Sequence, residues 1–142
     1  MKTVAAGCLL LWLAGVCLAQ DREPLCPRHI ETPTYPQFGR TAHLTGKVVL
    51  LVTVDENGNV TDAIAANNDK WVAVFKVSAI DNIRHWTFAK PPTAPYTETI
   101  VFDYEFDESL PGDDGSNRII KVTFDLPDRV TILTNLPVID HT

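Results

Sequence analysis

Hydrophobic and polar positions alternate most clearly in residues 46–62, GKVVLLVTVDENGNVTD, around which the rest of the chain is arranged. Val48, Leu50, Val52 and Val54 recur with period two, the spacing that sends side chains to one face of a sheet. Val49 and Leu51 are apolar too, so part of this strand is expected to have cover on both faces. Asn57-Gly58 is the two-residue signal for a tight hairpin turn with positive φ. Val60, then Ala63 or Ile64, then Ala65 or Ala66 continue a return strand. Residues 97–106 alternate strictly: Ile100, Phe102, Tyr104 and Phe106 share one face, and Thr97, Thr99, Val101 and Asp103 the other. Ile120, Val122, Phe124 and Leu126 are in phase as a fourth strand, Pro127-Asp128 is a turn, and residues 129–133 are a short fifth strand.

Between the second and third strands the period changes. Val72, Phe75 or Lys76, Ala79 and Ile83 fall on one helical stripe, flanked by Trp71 and Ile80, which predicts a helix over residues 70–85. Asn67, Asn68 or Asp69 can cap it through a side-chain oxygen. The helix is expected to bury Phe75, Ile80 and Ile83 on the sheet, each worth roughly 1.5–3 kcal/mol of transfer free energy. Trp86 and Phe88 alternate in a short extended piece and read as core anchors. Pro91, Pro92 and Pro95 bar further helix. Pro36 can open a short helix over residues 36–43, with Phe38 and Ala42 on one side, and Gly46 then allows a sharp entry into the first strand. Residues 110–117 read as a loop, and the chain from Thr134 is expected to be loose, with Leu136 and Val138 available to pack.

Composition narrows the function. With 142 residues and 45% hydrophobic content, the chain has room for one domain of ordinary size. A net charge of −6 argues against a nucleic-acid surface and against docking on anionic lipid. Lys2, the apolar run from Val4 to Val16 and the small residues Cys17 and Ala19 read as a signal peptide over residues 1–19, cleaved before Gln20. Residues 20–34, with Pro24, Pro27 and Pro33, form an extended leader. Cys8 and Cys17 fall in the signal, so Cys26 is left without an internal partner.

Candidate chemistry is sparse. Asp55-Glu56-Asn57-Gly58-Asn59 resembles the start of a calcium loop, but the glycine falls at the fourth position and no glutamate stands at the twelfth, so a hairpin turn is the better reading. His29, His43, His85 and His141 are scattered and lack zinc spacing; His85 is placed to cap a helix end. No metal or other cofactor is expected. Asp103, Glu105, Asp107 and Glu108 form an acidic patch, a solvated edge or a surface for a basic peptide. No Ser-His-Asp or Cys-His spacing argues for an enzyme. The competing reading, a small secreted hydrolase or ligand carrier on the same scaffold, would need Asp62, His85 and Asp103 to converge.

Tyr35-Pro36, Gly46-Lys47-Val48-Val49 and Val52-Thr53-Val54-Asp55 with Gly58 and Val60 resemble the C-terminal domain of TonB-family energy transducers. So do Ala79-Ile80, Trp86-Thr87-Phe88 and Lys90-Pro91 after the helix. The resemblance implies an α+β fold: an antiparallel sheet with helices on one face over residues 35–108, here with an additional C-terminal β-hairpin over residues 118–133 packed on it. It also implies a periplasmic protein-interaction module related to outer-membrane transport. Such a module binds an extended peptide, an outer-membrane transporter segment or a partner sheet edge by β-augmentation. The corresponding partner-binding residues are Thr97, Thr99, Val101, Asp103 and Glu105, and edge pairing could also give a homodimer. Transducers of the family keep a membrane helix and a long spacer. This chain reads instead as a binding module without a retained anchor.

Overall fold

The computed structural model describes residues 23–139. The signal-peptide and cleavage expectations, and His141, lie outside them. In chain order the elements are β1 (Pro27–His29), α1 (Gln37–Thr41), β2 (Gly46–Val54), β3 (Val60–Ala65), α2 (Val72–Ile83), β4 (Thr87–Phe88), β5 (Tyr96–Phe106), β6 (Ile120–Asp125) and β7 (Arg129–Thr134). Five strands form one sheet in the order β3-β2-β5-β7-β6, and β1 pairs with β4 in a separate ribbon. β2 and β5 are antiparallel over their full overlap, Gly46 opposite Tyr104 and Val54 opposite Tyr96.

The expected α+β architecture with an extra C-terminal hairpin is present, with one refinement. The hairpin enters the sheet by its second strand: β7 runs parallel to β5, and β6 lies outside it. Val130 and Ile132 of the inner strand β7 are accordingly fully buried, while Ile120 of β6 is 37% exposed.

The period-two pattern sets one buried face. Val48, Leu50, Val52, Val54, Ile100, Phe102 and Tyr104 meet Phe75, Ala79 and Ile83 of α2. Ile80 is half-buried rather than buried, because it sits at the margin of the helical stripe. Val49 and Leu51 point to the opposite face, which no helix covers among the described residues; both are half-buried by neighbouring side chains alone.

Phe75 joins α2 to the aromatic core, stacked on Tyr104 at 4.5 Å between centroids and edge-on to Tyr35 at 5.6 Å. Two glycines make room for it: a Cβ at Gly39 would lie 2.9 Å from its ring, and one at Gly46 would lie 2.7 Å from it. This reverses the expectation for α1, whose buried residues are Gly39 and Arg40, while Phe38 is 66% exposed.

Three local expectations change. The β2–β3 connection is longer than a two-residue turn: only Gly58 has positive φ (+87°), Asp55 pairs with Asn59, and the register shifts at Val54, the pattern of a turn closed by a glycine bulge. None of Asn67, Asn68 and Asp69 caps α2 through its side chain. Asn67 instead extends the sheet, accepting from Val49 N–H and donating to Lys47 O. The chain after β7 is anchored: Asp113 N–H donates to Leu136 O, and Val138 N–H to Asp113 O, both at 2.8 Å.

The leader is docked along the domain. Leu25 is buried in the core, and Cys26 O accepts from Ala89 N–H. Buried Asn82 donates to Glu31 O and accepts from the Trp86 indole, which ties the leader to the Trp-x-Phe segment. Trp86 and Phe88 are 1% and 2% exposed, as core anchors should be.

Candidate functional edge

In a strand, residues of one parity direct their main-chain groups to one side and their side chains to one face. Val101 N–H donates to Asp128 O and Asp107 N–H to Thr134 O, so the odd-numbered residues of β5 turn towards β7. All five expected partner-binding residues, Thr97, Thr99, Val101, Asp103 and Glu105, therefore lie in one row on the uncovered sheet face, with main chains directed to one edge.

That edge is divided. β7 pairs with residues 101–106 and stops at Arg129, opposite Val101. Residues 96–100 continue β5 beyond it and still pair with β2 on their other side. No strand lies against the outer side of residues 96–100 among the described residues. Thr97 and Thr99 are exposed there, whereas Val101 and Asp103 are half-buried. On the helix-side face the leader closes over this stretch: Leu25 N–H donates to Glu98 Oε1 at 2.9 Å, and Tyr96 O–H to Glu23 O at 3.1 Å.

The acidic row is partly neutralised. Asp103 Oδ2 lies 3.8 Å from Lys47 Nζ and 3.7 Å from Arg129 Nη1, bridging β2, β5 and β7. The Ser109 hydroxyl and N–H hold the Asp107 carboxyl below its usual range. Asp62, His85 and Asp103 do not converge: Asp62 and Asp103 lie on the uncovered face, while His85 follows α2 on the other, its Nδ1 2.8 Å from Asp81 O. Among the described residues no three metal-ligating side chains gather, and no helix is long and apolar enough to cross a membrane.

No local pattern in the sequence signals the cluster that anchors the far end of β7, beside Phe106. Arg40 of α1, 3% exposed, donates to Asp113 Oδ2 at 2.6 Å, to Thr134 Oγ1 at 2.9 Å and to Asn135 Oδ1 at 3.1 Å. Asn135 Nδ2 donates to Pro111 O and Asn117 O, and Thr134 Oγ1 to Ile119 O. Arg40 Nε and Nη2, Asn135 Nδ2 and the Thr134 hydroxyl thus each have an acceptor, and the buried guanidinium has a carboxylate beside it, as burying a charge requires. The Arg40 guanidinium and the Gly115 N–H hold the Asp113 carboxyl below its usual range. A lone arginine in a short helix reads as a surface residue; its partners lie 73 and more positions further on.

A family model described as the Gram-negative bacterial TonB protein C-terminal matches residues 31–107. Among solved structures, the solution NMR structure of the Pseudomonas aeruginosa TonB C-terminal domain is 18% identical, with a TM-score of 0.45, over 59% of this chain and 88% of that one. No curated protein matches the chain significantly. The family match spans more than half of the chain and ends one residue past β5, so the chain belongs to the TonB C-terminal domain family, with the hairpin as an addition beyond the matched region.

Proposed function

We propose that this chain is a periplasmic binding module that takes an extended partner segment as an added strand against Thr97 and Thr99. Membership of the TonB C-terminal family links it to protein interaction and outer-membrane transport. The observation that carries the reading is the outer side of residues 97–99, against which no strand lies among the described residues because β7 pairs only from Val101 onward. Main-chain hydrogen bonds to Thr97 and Thr99 supply affinity, and alternate side chains of the partner meet Thr97, Thr99 and Val101 on the uncovered face. Asp55 and Glu56 follow Val54 at one end of the stretch, and Asp128 stands at the other, so the preferred partner carries a basic residue. An exported chain delivers this edge to the periplasm, where transporter segments are presented.

The test is an amide-resolved NMR titration with synthetic peptides taken from the periplasmic N-termini of outer-membrane transporters. Thr97 and Thr99 amides should shift and gain protection, and Thr99→Pro, which removes one donor on the outer side, should abolish the effect while the spectrum stays folded. Shifts confined to other surfaces, or binding unchanged in Thr99→Pro, would overturn the reading.

A further inference from the structure

We propose that β6 is a homodimer edge, pairing antiparallel with β6 of a second copy about a two-fold axis at Thr123. β6 closes the sheet on the side away from β3, and no strand lies beyond it among the described residues. Odd-numbered residues of β6 face β7: the cross-strand pairs are Lys121 with Leu133, Thr123 with Thr131 and Asp125 with Arg129. The even-numbered residues of β7 face β5, which leaves its odd-numbered ones for β6. The main chains of Ile120, Val122 and Phe124 are therefore directed outward, an edge that invites a strand.

The sequence of the strand selects its own partner and register. A symmetric antiparallel pair must match outward residues with outward residues, which leaves few alignments. Centring on Thr123 pairs Val122 with Phe124, Ile120 with Leu126 and Lys121 with Asp125, each twice. Centring on Val122 or Phe124 loses the charge match, and moving further sets Lys121 against Lys121 or Asp125 against Asp125. Opposite charges directly across a ladder stabilise it, and like charges oppose it. The apolar ends agree: Ile120 and Leu126 are among the exposed large hydrophobic residues, 37% and 48%, and this alignment brings them together. Lys121, Thr123 and Asp125 project from the exposed face, so their charges can be changed without touching the core. The edge is separate from β5, and the dimer would present two copies of the stretch at Thr97.

Sedimentation equilibrium on the purified protein tests the pairing. Lys121→Asp alone sets acid against acid, and Asp125→Lys alone sets base against base; each should raise the dimer Kd by on the order of tenfold or more. Mixed one to one, the two variants regain both opposite-charge pairs and should return to the wild-type Kd as a heterodimer. Circular dichroism spectra matching wild type show that the variants are folded. A wild-type protein that stays monomeric to its solubility limit, single variants that dimerise like wild type, or a mixture no tighter than its components each overturn the proposal.

Discussion

Replacing Gly58 by alanine should cost far more than replacing Gly115, although both glycines have the same backbone demand. Gly58 has φ +87° and Gly115 φ +98°, so alanine is strained at either site by about 1–2 kcal/mol. Their surroundings differ. A Cβ at Gly58 would lie 2.0 Å from Phe88 O, whereas one at Gly115 meets nothing within 4 Å. The clash is with main chain, so β4 must move. The 2.7 Å bond from Phe88 N–H to Gly58 O is then lost, worth about 0.5–1.5 kcal/mol, with part of the burial of Phe88. The total for Gly58→Ala is about 3–4 kcal/mol, against about 1–2 for Gly115→Ala. At about 4 °C per kcal/mol for a domain of this size, thermal melts followed by circular dichroism should fall by roughly 12–16 °C and 4–8 °C respectively. Equal drops would refute the contact argument and leave backbone strain as the only cause. In this chain the turn glycine and the Trp-x-Phe segment are thus coupled by direct contact.

Other outcomes follow from the same core and cluster. Gly46→Ala should destabilise by about 1–3 kcal/mol through the Phe75 ring, and Phe75→Leu should cost less in its presence than alone, read as non-additive melting temperatures in a double-mutant cycle. Asn82→Ala leaves the Trp86 indole and Glu31 O without their partner and should lower stability by about 1–3 kcal/mol in urea unfolding, with faster amide exchange at Ala89 as the leader loosens. Asp113 has its pKa below the 3.8 of a free carboxyl, so its contribution is complete above that value and is lost as pH falls through the lower folded value. Asp113→Asn should therefore lower the melting temperature most at neutral pH, and the gap to wild type should narrow in acid below pH about 4.

What could be read from the sequence was whatever a local period reports. The strands at residues 46–54 and 97–106 follow from alternation, and α2 from its stripe, because each face is decided by residues two to four positions apart. The order of β6 and β7 was not readable. Ile120-Val122-Phe124 and Val130-Ile132 alternate equally well, and the inner place goes to β7 because Thr134 and Asn135 reach Arg40 across the fold. The leader was hidden for a related reason: Leu25, Ile30 and Pro33 are too few to make a period, and the segment is held by single hydrogen bonds to distant residues, Leu25 N–H to Glu98 and Glu31 O from Asn82. The candidate edge residues could be placed on one face by parity alone, but how much of their edge stays open depends on where β7 ends.

That end point decides between two ways of docking. A partner covering the whole of β5 must lift β7, exposing Val130 and Ile132, both fully buried, at about 1.5–3 kcal/mol each. Lifting it also strands Arg40 without Thr134 and Asn135. An incoming strand replaces the main-chain hydrogen bonds but not these contacts unless it repeats their side chains. Even about 4 kcal/mol of unreplaced burial weakens binding roughly a thousandfold. A partner placed at Thr97 and Thr99 displaces nothing. Peptide binding should therefore leave the Val101, Asp103 and Glu105 amides as protected as in the free protein while Thr97 and Thr99 become protected. Exposure of Val101 on binding, measured by hydrogen exchange, would mean that β7 leaves and that its burial is worth less than about 4 kcal/mol.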